Sequence, residues 1–209
     1  DYVNAVNRSI DANRTLSESF DQAAPFTTVF PQSHLGAQLQ VVARIIALRQ
    51  VLGVSRQIFF VGIGGFDPHS AQANAIPSLH SQIAGGMRAL YDATVEMGVA
   101  NDVTSFTASD FGRTLTVNRD GTDHGWGAHH LVVGGALAGN RMHGGFPEPV
   151  VDHDQDSGNG RLIPTTSVDQ MAATFGRWFG LSEGELDDAL PGLANFATRD
   201  IGLFSGVTS

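Results

Sequence analysis

The sequence predicts an α/β domain built on parallel strands, and three observations carry that prediction. The run Ile58, Phe59, Phe60 and Val61 is short, branched and aromatic and stops at Gly62, Gly64 and Gly65, the pattern of a strand buried on both faces. From Leu79 onward, Leu79, Ile83, Met87, Leu90, Tyr91 and Val95 mark one face of a helix that ends near Gly98. Val103, Ser105, Phe106 and Thr107 then read as a second strand, with Ser109 and Asp110 at its exit. A strand, a helix of about 18 residues and a strand make a βαβ unit, whose strands run parallel through a right-handed crossover. The carboxyl ends of both strands then share the edge on which open α/β sheets place their ligands.

The other elements follow in order. The first thirty residues are polar and loosely periodic up to Pro25 and Pro31, which predicts a surface helix and a loop. Leu35, Leu39, Val42, Ile46, Leu48 and Leu52 predict a largely buried helix, closed by Gly53 where a left-handed cap belongs. Leu131, Val132 and Val133 suggest a third strand, left through Gly134 and Gly135. Residues 139 to 163 are rich in Gly, Pro and Asp, and so long an irregular stretch is unusual unless it serves a function. Thr165 or Thr166 can cap a last helix with the apolar face Val168, Met171, Ala172, Phe175 and Phe179, closed by Gly180. The tail, with Leu186, Leu190, Leu193, Phe196 and Phe204, is expected to pack back on the domain. Neither a repeat nor a linker interrupts the chain, which predicts one domain over residues 1 to 209.

Composition excludes several classes of function. The 42% hydrophobic content supports a core, yet no run reaches the roughly 18 apolar residues of a membrane span. All 12 basic residues are Arg, and the formal net charge is -9. Phosphate neutralisation dominates nucleic-acid affinity, so an acidic chain without a basic stripe argues against DNA or RNA as partners. The absence of Cys excludes disulfides, thiolate nucleophiles and Cys-ligated metals. The chain starts at Asp1 and its first twenty residues lack the layout of a secretory signal, the expectation for a processed, trimmed or internal start.

Three clusters of acids and histidines stand just after apolar runs: Asp67 with His69, Asp110, and Asp123, His124, His129 and His130. Each residue alone has an ordinary reading as a turn former or cap, and Asp67 before Pro68 suits a turn. Together, at expected strand exits and beside Gly125 and Gly127, they predict a divalent metal site with Asp67, His69, Asp110, Asp123, His124 and His129 as ligands. Imidazoles with carboxylates suit zinc, whereas more oxygens favour magnesium, manganese or calcium. Arg113 is placed to grip a phosphate or sulfate with its planar fork, or alternatively to form a salt bridge with a site carboxylate. Other motifs fail on their own terms. Asp67 stands where a dinucleotide-binding turn needs its third Gly, and it would repel pyrophosphate. Asp152, Asp154 and Asp156 alternate as in a calcium loop, but Ser157 and Ile163 occupy the positions of the essential Gly and Glu. No GxSxG nucleophile elbow occurs.

The motifs RQIFFVGIGGFDPHS, TASDFGRTL, GTDHGWGAHH, GGFP and RLIPTTSVDQMAATFGRWFG resemble, over nearly the whole chain, the bacterial family of domains of unknown function numbered 1501. The resemblance implies export by the twin-arginine route, to the periplasm or beyond, and kinship with the alkaline phosphatase and sulfatase superfamily. It implies a three-layer α/β sandwich with a mainly parallel sheet and two metals at its carboxyl edge, of which these residues would form the carboxyl-terminal part, as a fragment of a longer chain or as a shortened relative. Asp67 and His69 are similar to that superfamily's Asp-then-His pair at tighter spacing. Ser109 to Gly112 look like its SDHG element with Phe111 in place of the ligand His, and Asp123, His124 or His129 would supply the later His. The PTTSVDQ helix start resembles the one following PT in sulfatases. The superfamily's early Asp and nucleophile have no counterpart in residues 1 to 34.

The function expected is therefore metal-dependent hydrolysis of phosphate or sulfate esters, on a small or polymeric anionic substrate, or a degenerate form of that activity. The alternative is an exported binding or structural protein that keeps the fold without chemistry. The sequence does not disclose the oligomeric state.

Overall fold

The computed structural model describes residues 27–205 together with residues 3, 4, 6, 7, 14 and 20, so the helix expected near the amino terminus lies mostly outside the described residues. The chain is mixed α/β and divides into two compact units, residues 1–63 with 81–99 and residues 64–80 with 100–209.

The first unit is helical. Helix α1 (His34–Ala47) starts where Ser33 Oγ accepts a hydrogen bond from Gly36 N at 3.0 Å, satisfying a donor that the first turn leaves open. A short α2 (Arg49–Leu52) follows, and Gly53 closes it at φ 64°, a conformation that disfavours a side chain. Leu35, Leu39, Val42, Ala43 and Ile46 are the buried face of α1, the spacing visible in the sequence. Helix α3 (Gln72–Glu96) begins seven residues before Leu79, with Pro77 inside it. Its residues from Ser81 belong to this unit, where Met87, Ala89, Leu90 and Ala93 are buried. Gly86 lets the helices approach closely, since a Cβ there would stand 2.8 Å from Leu39 Cδ1. At the end of α3 the Glu96 carboxylate accepts from Thr27 N at 2.8 Å and Thr28 N at 3.0 Å, and these bonds, the Thr27 backbone first, lower its pKa to about 2.

The strand expected over Ile58 to Val61 does not form. Ile58 is 85% and Phe60 95% exposed, and among the described residues Gln57 to Val61 make no backbone hydrogen bond. Only Gly62 is tied, by the Gln38 side chain, which donates to its carbonyl at 2.9 Å and accepts from its N–H at 3.1 Å.

The second unit holds all four described strands, in two antiparallel pairs. Strand β1 (Thr104–Phe106) pairs with β4 (Val132–Gly134), Ser105 opposite Val133, and Thr107 N extends the contact by donating to Leu131 O at 3.0 Å. Strands β2 (Gly112–Asn118) and β3 (Gly121–Gly125) form a hairpin. These pairings correct the βαβ reading: the second and third expected strands exist within a residue of their places, but they pair with each other. An apolar run marks a segment able to be a strand without identifying its neighbour.

After β4 comes the expected irregular stretch. The acids of the calcium-like segment do not gather there: Asp156 turns its carboxylate onto the backbone N–H groups of Asp152, Gly158 and Gly160, at 3.0, 2.8 and 3.1 Å. These bonds, led by that from Asp152, hold the Asp156 carboxyl below its ordinary range. Helix α4 (Val168–Phe179) is capped by Ser167 rather than by a preceding Thr, in a reciprocal box with Gln170, and Gly180 closes it at φ 99°. Val168 points outward at 71% exposure, because it precedes the turns that pack. Ala173 of α4, Leu186 of α5 (Glu183–Ala189) and Leu193 make a fully buried cluster with Leu190 against it. Phe204 stacks on Trp178 at 5.0 Å and meets Phe175 edge-on, so the tail does pack back. Among the described residues no helix is long and apolar enough to cross a membrane.

Candidate metal centre

The centre lies within the second unit and is built on the β2–β3 hairpin. Arg113 and His124 are directly opposite in the register, so both side chains rise from one face of the ribbon. The strands turn through Arg119, at φ 62°, and Asp120. That turn grips the loop carrying Asp67 and His69. Asp120 Oδ2 accepts from Ala71 N at 2.8 Å, Asp120 O accepts from Gln72 N at 3.2 Å, and Thr122 Oγ1 donates to Gln72 Oε1 at 2.8 Å. Gly121 makes the approach possible, since a Cβ there would stand 2.6 Å from the His69 carbonyl carbon and 2.8 Å from its oxygen.

Asp67 Oδ1 is the meeting point. His124 Nε2 lies 2.7 Å from it, Arg113 Nη1 donates to it at 2.9 Å, and His69 Nε2 stands at 3.0 Å. Arg113 Nη2 also donates to Pro68 O. The hydrogen bond from His124 is the largest influence holding the Asp67 carboxyl below its ordinary range; the His124 charge, the Arg113 bond and the His69 charge act in the same direction. Phe111 stacks on the His124 ring at 4.0 Å and 16° and lies 5.9 Å from the Arg113 guanidinium, so it orients His124 rather than supplying a ligand.

One carboxylate oxygen and two imidazole nitrogens, from Asp67, His69 and His124, lie within 4.8 Å of one another. Three such atoms can share one ion at bonds of roughly 2.0–2.2 Å, and a set of two nitrogens and one oxygen suits zinc and its borderline neighbours better than calcium or magnesium. The three side chains are about half exposed, which leaves the group open to solvent.

The other expected residues are placed apart from this group. Asp110 is exposed in the bend between β1 and β2, outside the cluster. His129 stacks on Phe146 at 4.4 Å, and His130 Nδ1 lies 3.4 Å from Thr107 Oγ1, its pKa lowered chiefly by burial. Asp123 touches the centre only through His69, its Oδ1 3.6 Å from His69 Nδ1. Arg113 takes the second of its two expected places, in a salt bridge to a site carboxylate. Asp120, Gly121 and Phe111 were not legible as site residues, although the Asp120-Gly121 dipeptide is a turn signal.

The family model described as a protein of unknown function, DUF1501, matches residues 8–190. The chain belongs to the DUF1501 family. The DUF1501 match includes both the loop of Asp67 and His69 and the whole hairpin. Neither a curated protein nor a solved structure matches the chain.

Proposed function

We propose that the chain carries a metal-dependent hydrolase site for phosphate or sulfate esters, held by Asp67, His69 and His124. The single observation that carries this reading is the convergence of those side chains within 4.8 Å, from a loop and a hairpin more than fifty positions apart in the sequence. Asp67, His69 and His124 would hold a divalent ion, which would supply Lewis-acid polarisation of an ester oxygen and stabilise the leaving-group charge. The residues themselves provide the frame. Arg113 and His124 fix Asp67 from one face of the hairpin, Phe111 fixes the His124 ring, and the Asp120 turn fixes the loop of His69. The Arg113 cation, 2.9 Å from Asp67 Oδ1, adds positive charge beside the place where an anionic ester would approach.

This reading keeps the kinship with the alkaline phosphatase and sulfatase superfamily and the export that goes with it.

Turnover of aryl phosphate and aryl sulfate by the purified chain, after loading with zinc, manganese or magnesium and again after chelation, tests the activity. Ester cleavage that chelation abolishes and metal restores is expected. Bound metal without turnover of either ester would favour the non-catalytic binding protein instead.

A further inference from the structure

Resting on the metal reading of the centre, we propose that Asp123 is not a ligand but the outer carboxylate that positions His69, holding the ring by Nδ1 so that Nε2 faces the ion. His69 spans two carboxylates: Nε2 stands 3.0 Å from Asp67 Oδ1, and Nδ1 stands 3.6 Å from Asp123 Oδ1. The second distance is within ion-pair range and a few tenths of an ångström beyond an N–H···O bond, so a small rotation of the ring closes it. Asp123 is itself held for the task. Asn118 Nδ2 donates to the same Oδ1 at 3.0 Å across the hairpin, and Asp123 N donates to Thr114 Oγ1 at 3.2 Å.

Asp123 lies outside the group of atoms that converge on Asp67, although its neighbour His124 is inside it. Adjacent residues of a strand point to opposite faces, so β3 gives one side chain to the ion and the next to the imidazole of the other ligand. An imidazole that ligates through one nitrogen usually donates its other N–H to a carboxylate or carbonyl, which fixes its orientation and makes it a better ligand. Asp123 is the carboxylate within reach of His69 Nδ1, and Asn118 keeps it there.

Zinc titrations of the full chain and of the Asp123→Asn, Asp123→Ala and Asp67→Ala variants test this, together with ¹⁵N spectra of the His69 ring in the zinc-loaded protein. Loss of an outer carboxylate is expected to weaken zinc binding roughly 10- to 100-fold, more for Ala than for Asn, with one ion still bound, and with the zinc-free Asp123→Asn protein, which keeps an acceptor for Asn118, melting like the parent. The spectra of the parent chain are expected to show His69 coordinated through Nε2 with Nδ1 protonated, and those of the Ala variant a mixture of coordination modes. If Asp123→Ala loses zinc as completely as Asp67→Ala, Asp123 is a ligand and the proposal falls. Unchanged affinity and unchanged His69 spectra would also overturn it. Should the parent chain bind no zinc, the metal reading itself fails, and the positioning role fails with it.

Discussion

Two stretches of this chain contrast sharply in what they promise and in what they become. Gln57 to Ile63 holds an apolar, aromatic and branched run, yet Ile58 and Phe60 stand in solvent and no described strand pairs with it. Gly112 to Gly125 is largely polar, yet it is a paired hairpin that carries Arg113, Asp123 and His124. The difference shows that hydrophobic content marks a segment able to be a strand, while hydrogen-bond partners decide whether it becomes one. The centre accordingly depends on the polar ties of the hairpin and its turn, not on the edge of a parallel sheet.

The strongest way to break that contrast is to damage the hairpin without touching a ligand. Gly112→Ala would place a Cβ 1.8 Å from Gly127 O, backbone against backbone, and we expect a loss of about 3 kcal/mol in denaturant unfolding. A loss under about 1 kcal/mol would mean that the strand ends are looser than described.

Gly121→Ala is expected to cost roughly 1–3 kcal/mol and, more tellingly, to weaken zinc binding, because it pushes the loop of His69 off the turn. Zinc affinity equal to that of the parent chain would show that the turn does not position the loop.

Phe60→Thr sharpens the contrast from the other side. A side chain this exposed should change stability by no more than about 0.5 kcal/mol. A loss of roughly 3–5 kcal/mol, the cost of truncating a buried Phe, would reveal a partner covering the run in solution.

The smallest effect is in pH. The Asp67 carboxyl titrates below its ordinary value, so the stability its ionised form contributes is complete above the ordinary carboxylate range. It is lost as the pH falls through the lowered value. Melting of the parent chain should therefore fall more steeply in acid than melting of Asp67→Asn. Superimposable acid limbs would remove the ion-pair account of Asp67.

Much of the fold was legible where burial follows spacing. The face of α1, the caps Gly53 and Gly180, and the buried Leu186 and Leu193 all appear in the apolar pattern. Strand pairing was not, because Phe106 and Val132 carry the same β signal whether their partner is parallel or antiparallel. In the centre, Asp67, His69 and His124 were legible as residue types, but the device that gathers them was not. Asp120 acts through its backbone carbonyl as well as its carboxylate, and Gly121 acts through the absence of a side chain; neither advertises a site. Phe111 looked like a lost ligand and is a stacking partner.

The most direct test of the convergence is a calorimetric zinc titration of the chain and of single Ala variants at Asp67, His69, His124, Asp110 and His129. One ion should bind the parent chain, Asp110→Ala and His129→Ala alike, and binding should disappear in each of the other three. Zinc binding that survives the loss of Asp67 and of His124, or that is lost equally with Asp110 or His129, would contradict a centre made by the loop and the hairpin.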